Sequence, residues 1–269
     1  MNLSIFRHLW GITEPWETLF PKIASLNFQG IEHILPDEQD KERFRRLLDL
    51  HGFKYIAQIV TNGSTVDDHL SSFRHNVERA AELHPLKINC HSGCDWFSPE
   101  QSKKYFGEAL AFEAKIGIPV AHETHRGRIL YNPWTTESLL KQYPELKLSC
   151  DLSHWVVISE RLLDTEREII ALSAEHCIHI HARVGYEEGP QVPDPRAPEY
   201  RRHVEAHEEW WDAIWSAQER KGMKESTLTP EFGAPEYLHT LPYTRTPVAD
   251  LWEICTWQAD RQRTRFAAR

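Results

Sequence analysis

The sequence predicts an α/β protein built as a single (β/α)8 barrel with an extended loop after its seventh strand. Three observations predict it. Eight short strand-like runs alternate with eight amphipathic helical stretches along 269 residues. No Pro/Gly/Ser-rich linker or low-complexity tract divides them. Four successive runs end in a residue type that binds metal ions. Strict alternation implies a parallel sheet, and eight βα units in about 250 residues fit a closed barrel better than an open doubly wound sheet. One domain over residues 1–269 follows.

The strand-like runs are 3–9, 30–34, 54–60, 87–91, 120–124, 147–151, 177–181 and 227–231, short apolar segments bounded by turn residues. Helical periodicity fills 16–26, 40–51, 65–83, 99–116, 136–142, 159–174, 204–220 and 247–262. The last stretch opens on Pro247, and proline is tolerated in a first helical turn because the N–H it lacks there has no helical partner. Segment 185–202, GYEEGPQVPDPRAPEYRR, is too long for an ordinary βα connection and carries four prolines. It follows the seventh strand on the face where such barrels keep their sites, so it reads as a lid or substrate-contacting loop.

Composition narrows the function. Asp+Glu outnumber Lys+Arg by 40 to 31, giving a formal net charge of -9; this disfavours nucleic acid, whose phosphates call for clustered cations. The five cysteines show no CxxC pair and read as reduced thiols. The N-terminal MNLSIFRHLWG lacks the apolar core of a signal peptide, and no apolar run approaches the roughly 20 residues needed to cross a bilayer. A cytoplasmic protein with no membrane partner is expected; a homo-oligomer is compatible with the sequence.

The chemistry sits at strand ends. Glu123, Asp151, His181 and Glu231 close the fifth to eighth strands in turn. Alternation of side chains places Ser149 and Asp151 on one face against Leu148 and Cys150. Likewise Thr227, Thr229 and Glu231 oppose Leu228 and Pro230, and Cys177, His179, His181 and Arg183 oppose Ile178 and Ile180. Three carboxylates and an imidazole converging on one point repel one another without a cation. The oxygen-rich set suits one divalent ion, Mn²⁺ first, with Mg²⁺, Co²⁺ or Zn²⁺ as alternatives. His179 competes with His181 but lies one layer down, roughly 7 Å away, where a hydrogen-bonded core histidine is expected. His122 has outward parity and is expected to pack under a helix.

The strand ends VAHETHRGR, LSCDLSHW, HIHARVG and LTPEFG, with NFQGIEHI at the second strand, resemble the xylose-isomerase-like TIM barrel superfamily, which includes sugar isomerases, epimerases and endonuclease IV-type enzymes. The resemblance spans essentially the whole chain. It implies that Glu123, Asp151, His181 and Glu231 bind the metal, that Glu123 and Glu231 form the acid/base pair, and that His154 of the Asp-x-x-His signature contacts a substrate oxygen. Arg183, His125, His91 and Trp10 extend the expected substrate-binding set, and Trp96, Trp134 and Trp155 are further aromatic candidates for walls. The familiar epimerases place an arginine six residues after the metal histidine; here that position is Glu187, and Arg183 stands in for it.

The expected activity is metal-dependent isomerisation or epimerisation of a small ketose or keto-sugar by proton abstraction next to a carbonyl. A lyase or dehydratase acting on a sugar derivative uses the same machinery. An endonuclease would need further histidines, and Arg196 stands where one of them belongs. A non-catalytic sugar-binding protein would have no use for two glutamates bracketing the metal.

Overall fold

The computed structural model describes all residues, Met1–Arg269. Its eight strands are β1 (Asn2–His8), β2 (Gly30–Ile34), β3 (Lys54–Val60), β4 (Lys87–His91), β5 (Val120–Glu123), β6 (Leu148–Cys150), β7 (Cys177–His181) and β8 (Glu225–Thr229). They pair in sequence order, all parallel, and β8 closes on β1 through Asn2↔Glu225 to Ile5↔Leu228. The expected closed barrel is the observed one.

The helices are α1 (Trp16–Ser25), α2 (Lys41–His51), α3 (Val66–Ala81), α4 (Pro99–Ile116), α5 (Pro133–Gln142), α6 (Ser153–Ser159), α7 (Arg167–His176), α8 (Arg201–Arg220) and α9 (Leu251–Ala267). Their ends follow side-chain chemistry. Thr65 and Ser98 form capping boxes at α3 and α4, and Asn132 Oδ1 accepts the Thr135 N–H at the start of α5. Their inner faces pack on the sheet to form one apolar core that includes Phe20, Phe44, Phe73, Phe106, Trp211 and Trp215.

Three of the differences from the expected boundaries have a clear local cause. Strand β8 ends at Thr229, because Pro230 has no N–H to give the ladder, so Glu231 stands beyond the sheet. The helix expected over 159–174 is observed only from Arg167, as α7, and a further short helix, α6, precedes it and ends where Glu160 adopts a left-handed conformation (φ 51°). The last helix begins at Leu251, where Asp250 Oδ1 accepts the Glu253 N–H; Pro247 instead pairs with Thr240 in the preceding loop. All five cysteines are free. No helix is long and apolar enough to cross a membrane.

The barrel floor holds one buried cation. Lys87 donates to Ile178 O at 2.6 Å and Thr227 Oγ1 at 2.9 Å, and burial pushes its ammonium down from 10.5 to about 8. The unfolded chain therefore holds this proton over a pH range in which the folded chain has released it. Stability should rise with pH from about 8 to 10.5 and fall as pH drops through that window, by about 3 kcal/mol in all. Urea titrations of the wild type and Lys87→Met across this range check it: the rise should be missing from the variant, and parallel curves would contradict it.

Candidate active site

The C-terminal strand ends carry the site. Glu123 ends β5, Asp151 follows β6, His181 ends β7 and Glu231 lies two residues past β8. One ligand atom from each converges so that all four lie within 4.8 Å of one another, and all four residues are buried. Asp151 is oriented by its own loop: Oδ1 accepts from the Ser153 N–H at 3.1 Å and from the Ser153 hydroxyl. Glu123 is held by Asn89 Nδ2 at 2.7 Å and His91 Nε2 at 2.7 Å, both on Oε2. Gln58 Nε2 donates to Glu231 Oε1 at 3.2 Å.

Two buried atoms fit this centre to a cation. Glu123 Oε1 and His181 Nδ1 have no hydrogen-bond partner, and they lie 3.6 Å apart. His181 Nδ1 also stands 2.9 Å from Glu231 Oε2, but not in hydrogen-bonding geometry. Orphaned polar atoms in a dry site are costly, and a divalent ion accepting lone pairs from three carboxylates and one imidazole satisfies them together. The opposite ring atom, His181 Nε2, lies 2.9 Å from Glu32 Oε1, the carboxylate–histidine pairing common behind metal-bound imidazoles. Two other groupings, Glu32–His179–His181 and His91–Glu123–His125, meet the same distance limit. In the first, both Glu32 oxygens are already taken by the histidines.

Electrostatics follows from burial. Burial alone would raise the Glu32 carboxyl, yet His181 and His179 hold it below the usual carboxylate range. Glu123 behaves alike: burial opposes ionisation, but His91 and His181 keep it well below its ordinary value. Burial and nearby Glu123 push Asp151 up, with Arg183 pulling it back. His125 and His154 are held neutral by burial first and then by neighbouring cationic groups.

A cavity of about 280 Å³ opens at the C-terminal mouth, and of the four residues Glu231 alone lines it. Of the expected substrate-binding residues, Trp10, His91, His125 and Arg183 line it, together with Glu231. His154 is fully buried behind them, its ring centroid 3.9 Å from that of His125. Arg183 lines the cavity: Nη2 bonds Asp151 Oδ2, Glu231 Oε2 (3.2 Å) and His154 Nε2 (2.9 Å), while Nη1 has no partner. Trp155 is core, donating to Leu130 O at 3.0 Å; Trp96 and Trp134 are exposed and do not line the cavity. His122 packs under α4 against Glu113 at 2.8 Å, as its parity implied.

Glu32, His8, Gln58 and Tyr237 also line the cavity, outside the expected substrate-binding set. Glu32 had a signal, an acid of inward parity within the second strand-like run, 30–34. Tyr237 had none, for it lies in an aperiodic loop. Its ring packs edge-on to Trp10 (4.9 Å), and the Arg183 and Arg126 guanidinium carbons stand 4.9 and 5.0 Å from the ring centre. Gly233 permits this arrangement, since a Cβ there would lie 2.2 Å from the Trp10 indole.

Segment 185–202 supplies no cavity-lining residue. It supports the loop that does: Gln191 is buried, its Oε1 accepting the Gly233 N–H at 2.6 Å and its Nε2 donating to Gly233 O at 3.2 Å.

A closed eight-stranded barrel with acids and imidazoles gathered at its C-terminal mouth is an α/β barrel of the kind that does its chemistry at the strand ends. The family profile described as xylose isomerase-like TIM barrel matches residues 20–237, and the chain belongs to that family. A search of curated proteins finds no match. Among solved structures, the chain is similar in fold to the probable 3-DHS dehydratase AsbF of Bacillus anthracis, with 13% identity and TM-score 0.63 over 96% of this chain and 98% of that one. It is similar also to the E. coli 3-keto-D-glucoside 4-epimerase YcjR, with 13% identity and TM-score 0.60 over 98% and 100%. A third is a xylose isomerase-like protein from Mycobacterium smegmatis in complex with magnesium, with 12% identity and TM-score 0.56 over 96% and 94%.

Proposed function

We propose that the protein is a divalent-metal-dependent isomerase or epimerase of a small ketose or keto-sugar, with Glu123, Asp151, His181 and Glu231 holding the ion. The observation that carries this reading is the convergence of four buried ligand atoms within 4.8 Å, two of them without partners, next to a cavity of sugar size. When bound, the ion, Mn²⁺ by preference, supplies Lewis-acid polarisation of a carbonyl and so acidifies the adjacent C–H.

The chain's own groups do the rest. One of Glu123 and Glu231 takes the proton from carbon, and the other returns it on the opposite face. Arg183 Nη1, which has no partner, offers a donor to a substrate oxygen, His125, its Nδ1 spent on Arg126 O, offers Nε2 to a substrate hydroxyl, His91 lines the same cavity, and His154 steadies Arg183 from behind at 2.9 Å. Trp10 and Tyr237 form an apolar wall for the sugar ring and help to exclude water.

Segment 185–202 acts on the mouth through Gly233 and the Tyr237 loop. Gln191→Ala should raise KM by about tenfold, the equivalent of ~1.4 kcal/mol from one buried hydrogen-bonded pair, with kcat changed by no more than about twofold. Steady-state kinetics check this; an unchanged KM would mean that the segment does not shape the site.

The function itself is tested by incubating the Mn²⁺-loaded protein in deuterated water with a panel of ketoses, keto-sugars and sugar phosphates. Deuterium appearing at the carbon next to the carbonyl, together with an inverted or isomerised product, is the expected result. Loss of water from the substrate, or no exchange with any member of the panel, would overturn it.

A further inference from the structure

We infer that Glu32 is the positioning residue of the site: it fixes the His181 imidazole with its Nδ1 lone pair toward the metal ligands, and is itself set by a one-way hydrogen-bond chain rising from Lys87 at the barrel floor. This rests on the proposal that the four residues hold an ion.

The direction of each bond follows from what each group can do. Lys87 only donates, and it gives a proton to Thr227 Oγ1 at 2.9 Å. Thr227 has one hydroxyl hydrogen left to place, with His179 Nδ1 at 2.8 Å and Ile178 O at 3.3 Å. At the far end, the Glu32 carboxylate only accepts. His179 Nε2 at 3.1 Å and His181 Nε2 at 2.9 Å must therefore both donate to it. Thr229 Oγ1, 3.3 Å from the same His179 nitrogen, is the longer neighbour. A neutral His179 carrying its proton on Nε2 has a lone pair on Nδ1, which takes the nearer hydroxyl of Thr227. Every bond then runs the same way, from Lys87 through Thr227 and His179 into Glu32.

Glu32 has no remaining freedom to turn, and the His181 ring that it holds keeps its proton on Nε2. With an ion held at the site, Nδ1 is then the ring atom whose lone pair faces it, beside Glu123 and Glu231. All five members of the chain are buried, so no bulk water competes for these bonds. They come from β4, β8, β7 and β2, so the chain ties strands across the barrel interior to the ligand on β7. An amide at position 32 breaks the pattern, because it accepts through one atom and donates through the other and cannot receive both ring N–H groups.

The test uses the full-length, metal-free chain titrated with Mn²⁺ alone, the free ion being read by electron paramagnetic resonance. Glu32→Gln should raise the Mn²⁺ Kd by about 10- to 100-fold, the range for lost partners of metal-bound histidines. Thr227→Val touches no ligand and should raise it by roughly 3- to 10-fold through a disordered His179. Imidazole ¹⁵N spectra of the Mg²⁺-loaded wild type should show Nε2–H on both His179 and His181, with Thr227→Val shifting His179 toward Nδ1–H; a merely structural role for Thr227 would not move that signature. Kd values within about twofold of wild type in both variants, or Nδ1–H on His179 in the wild type, would overturn the inference while leaving the metal site standing. A wild-type chain that binds no Mn²⁺ would remove the metal site and the inference together.

Discussion

Glu123→Gln and Glu231→Gln should each lower kcat by about 10²-fold or more, while most of the bound metal stays in place. Each glutamate has two duties. As a ligand it lends charge to the ion, and an isosteric amide keeps an oxygen for that purpose. As an acid/base group it must exchange a proton with carbon, which an amide does not do. The amide's one oxygen cannot serve both the ion and the supporting donor, Asn89 Nδ2 on Oε2 of Glu123 (2.7 Å) or Gln58 Nε2 on Oε1 of Glu231 (3.2 Å), so metal affinity falls in part. Asp151→Asn should behave differently and lose metal first, because Asp151 sits between the site and Arg183 and has no proton-transfer duty. Metal analysis alongside kinetics separates the two classes. If the glutamates serve opposite faces of the substrate, one variant still washes deuterium into the substrate without completing epimerisation, and the other does neither. Full turnover in both variants with metal bound would disprove the two-glutamate mechanism.

Arg183→Met should destabilise the metal-free protein by about 3–5 kcal/mol, the cost of removing one partner from a buried ion-pair network. The guanidinium is 1% exposed and lies against Asp151 and Glu231, and its bond to Asp151 Oδ2 runs through both Nε (3.1 Å) and Nη2. Without it the ligand carboxylates of the metal-free chain have no fixed cation beside them. A drop in Tm of about 10 °C is expected for a chain of this size. Saturating Mn²⁺ should recover much of that drop, so the metal-induced rise in Tm should be larger in the variant than in the wild type. Melts with and without Mn²⁺ measure it. An equal fall in both conditions would show that Arg183 serves packing alone.

The parts of the molecule written in short-range pattern were legible in the sequence. Alternation of strand and helix is a local property, so the barrel and its strand order could be read directly. The convergence of Glu123, Asp151, His181 and Glu231 could be read because each ends a strand or lies one or two residues past one, with the parity of its polar neighbours. Helix boundaries set by a single backbone conformation were not legible; the left-handed Glu160 that splits α6 from α7 leaves no mark in hydrophobic periodicity. The support around the ligands was legible only in part. Glu32 reaches His181 across 149 positions of sequence, and Lys87 reaches Thr227 across 140. Such pairs become visible only once the barrel closes. Tyr237 belongs to a loop whose place over the mouth is set by Gln191 and Gly233, and no periodicity encodes it. The long segment after β7 was evident from length and proline content, but its position behind the Tyr237 loop depends on that same distant pairing.

The most direct test of the central claim is anomalous diffraction at the manganese edge from crystals of the full chain soaked in Mn²⁺. The account predicts one strong peak per chain, enclosed by Glu123, Asp151, His181 and Glu231, and its loss in His181→Ala. A soaked crystal with no peak at that position, or with manganese bound only elsewhere, would contradict it.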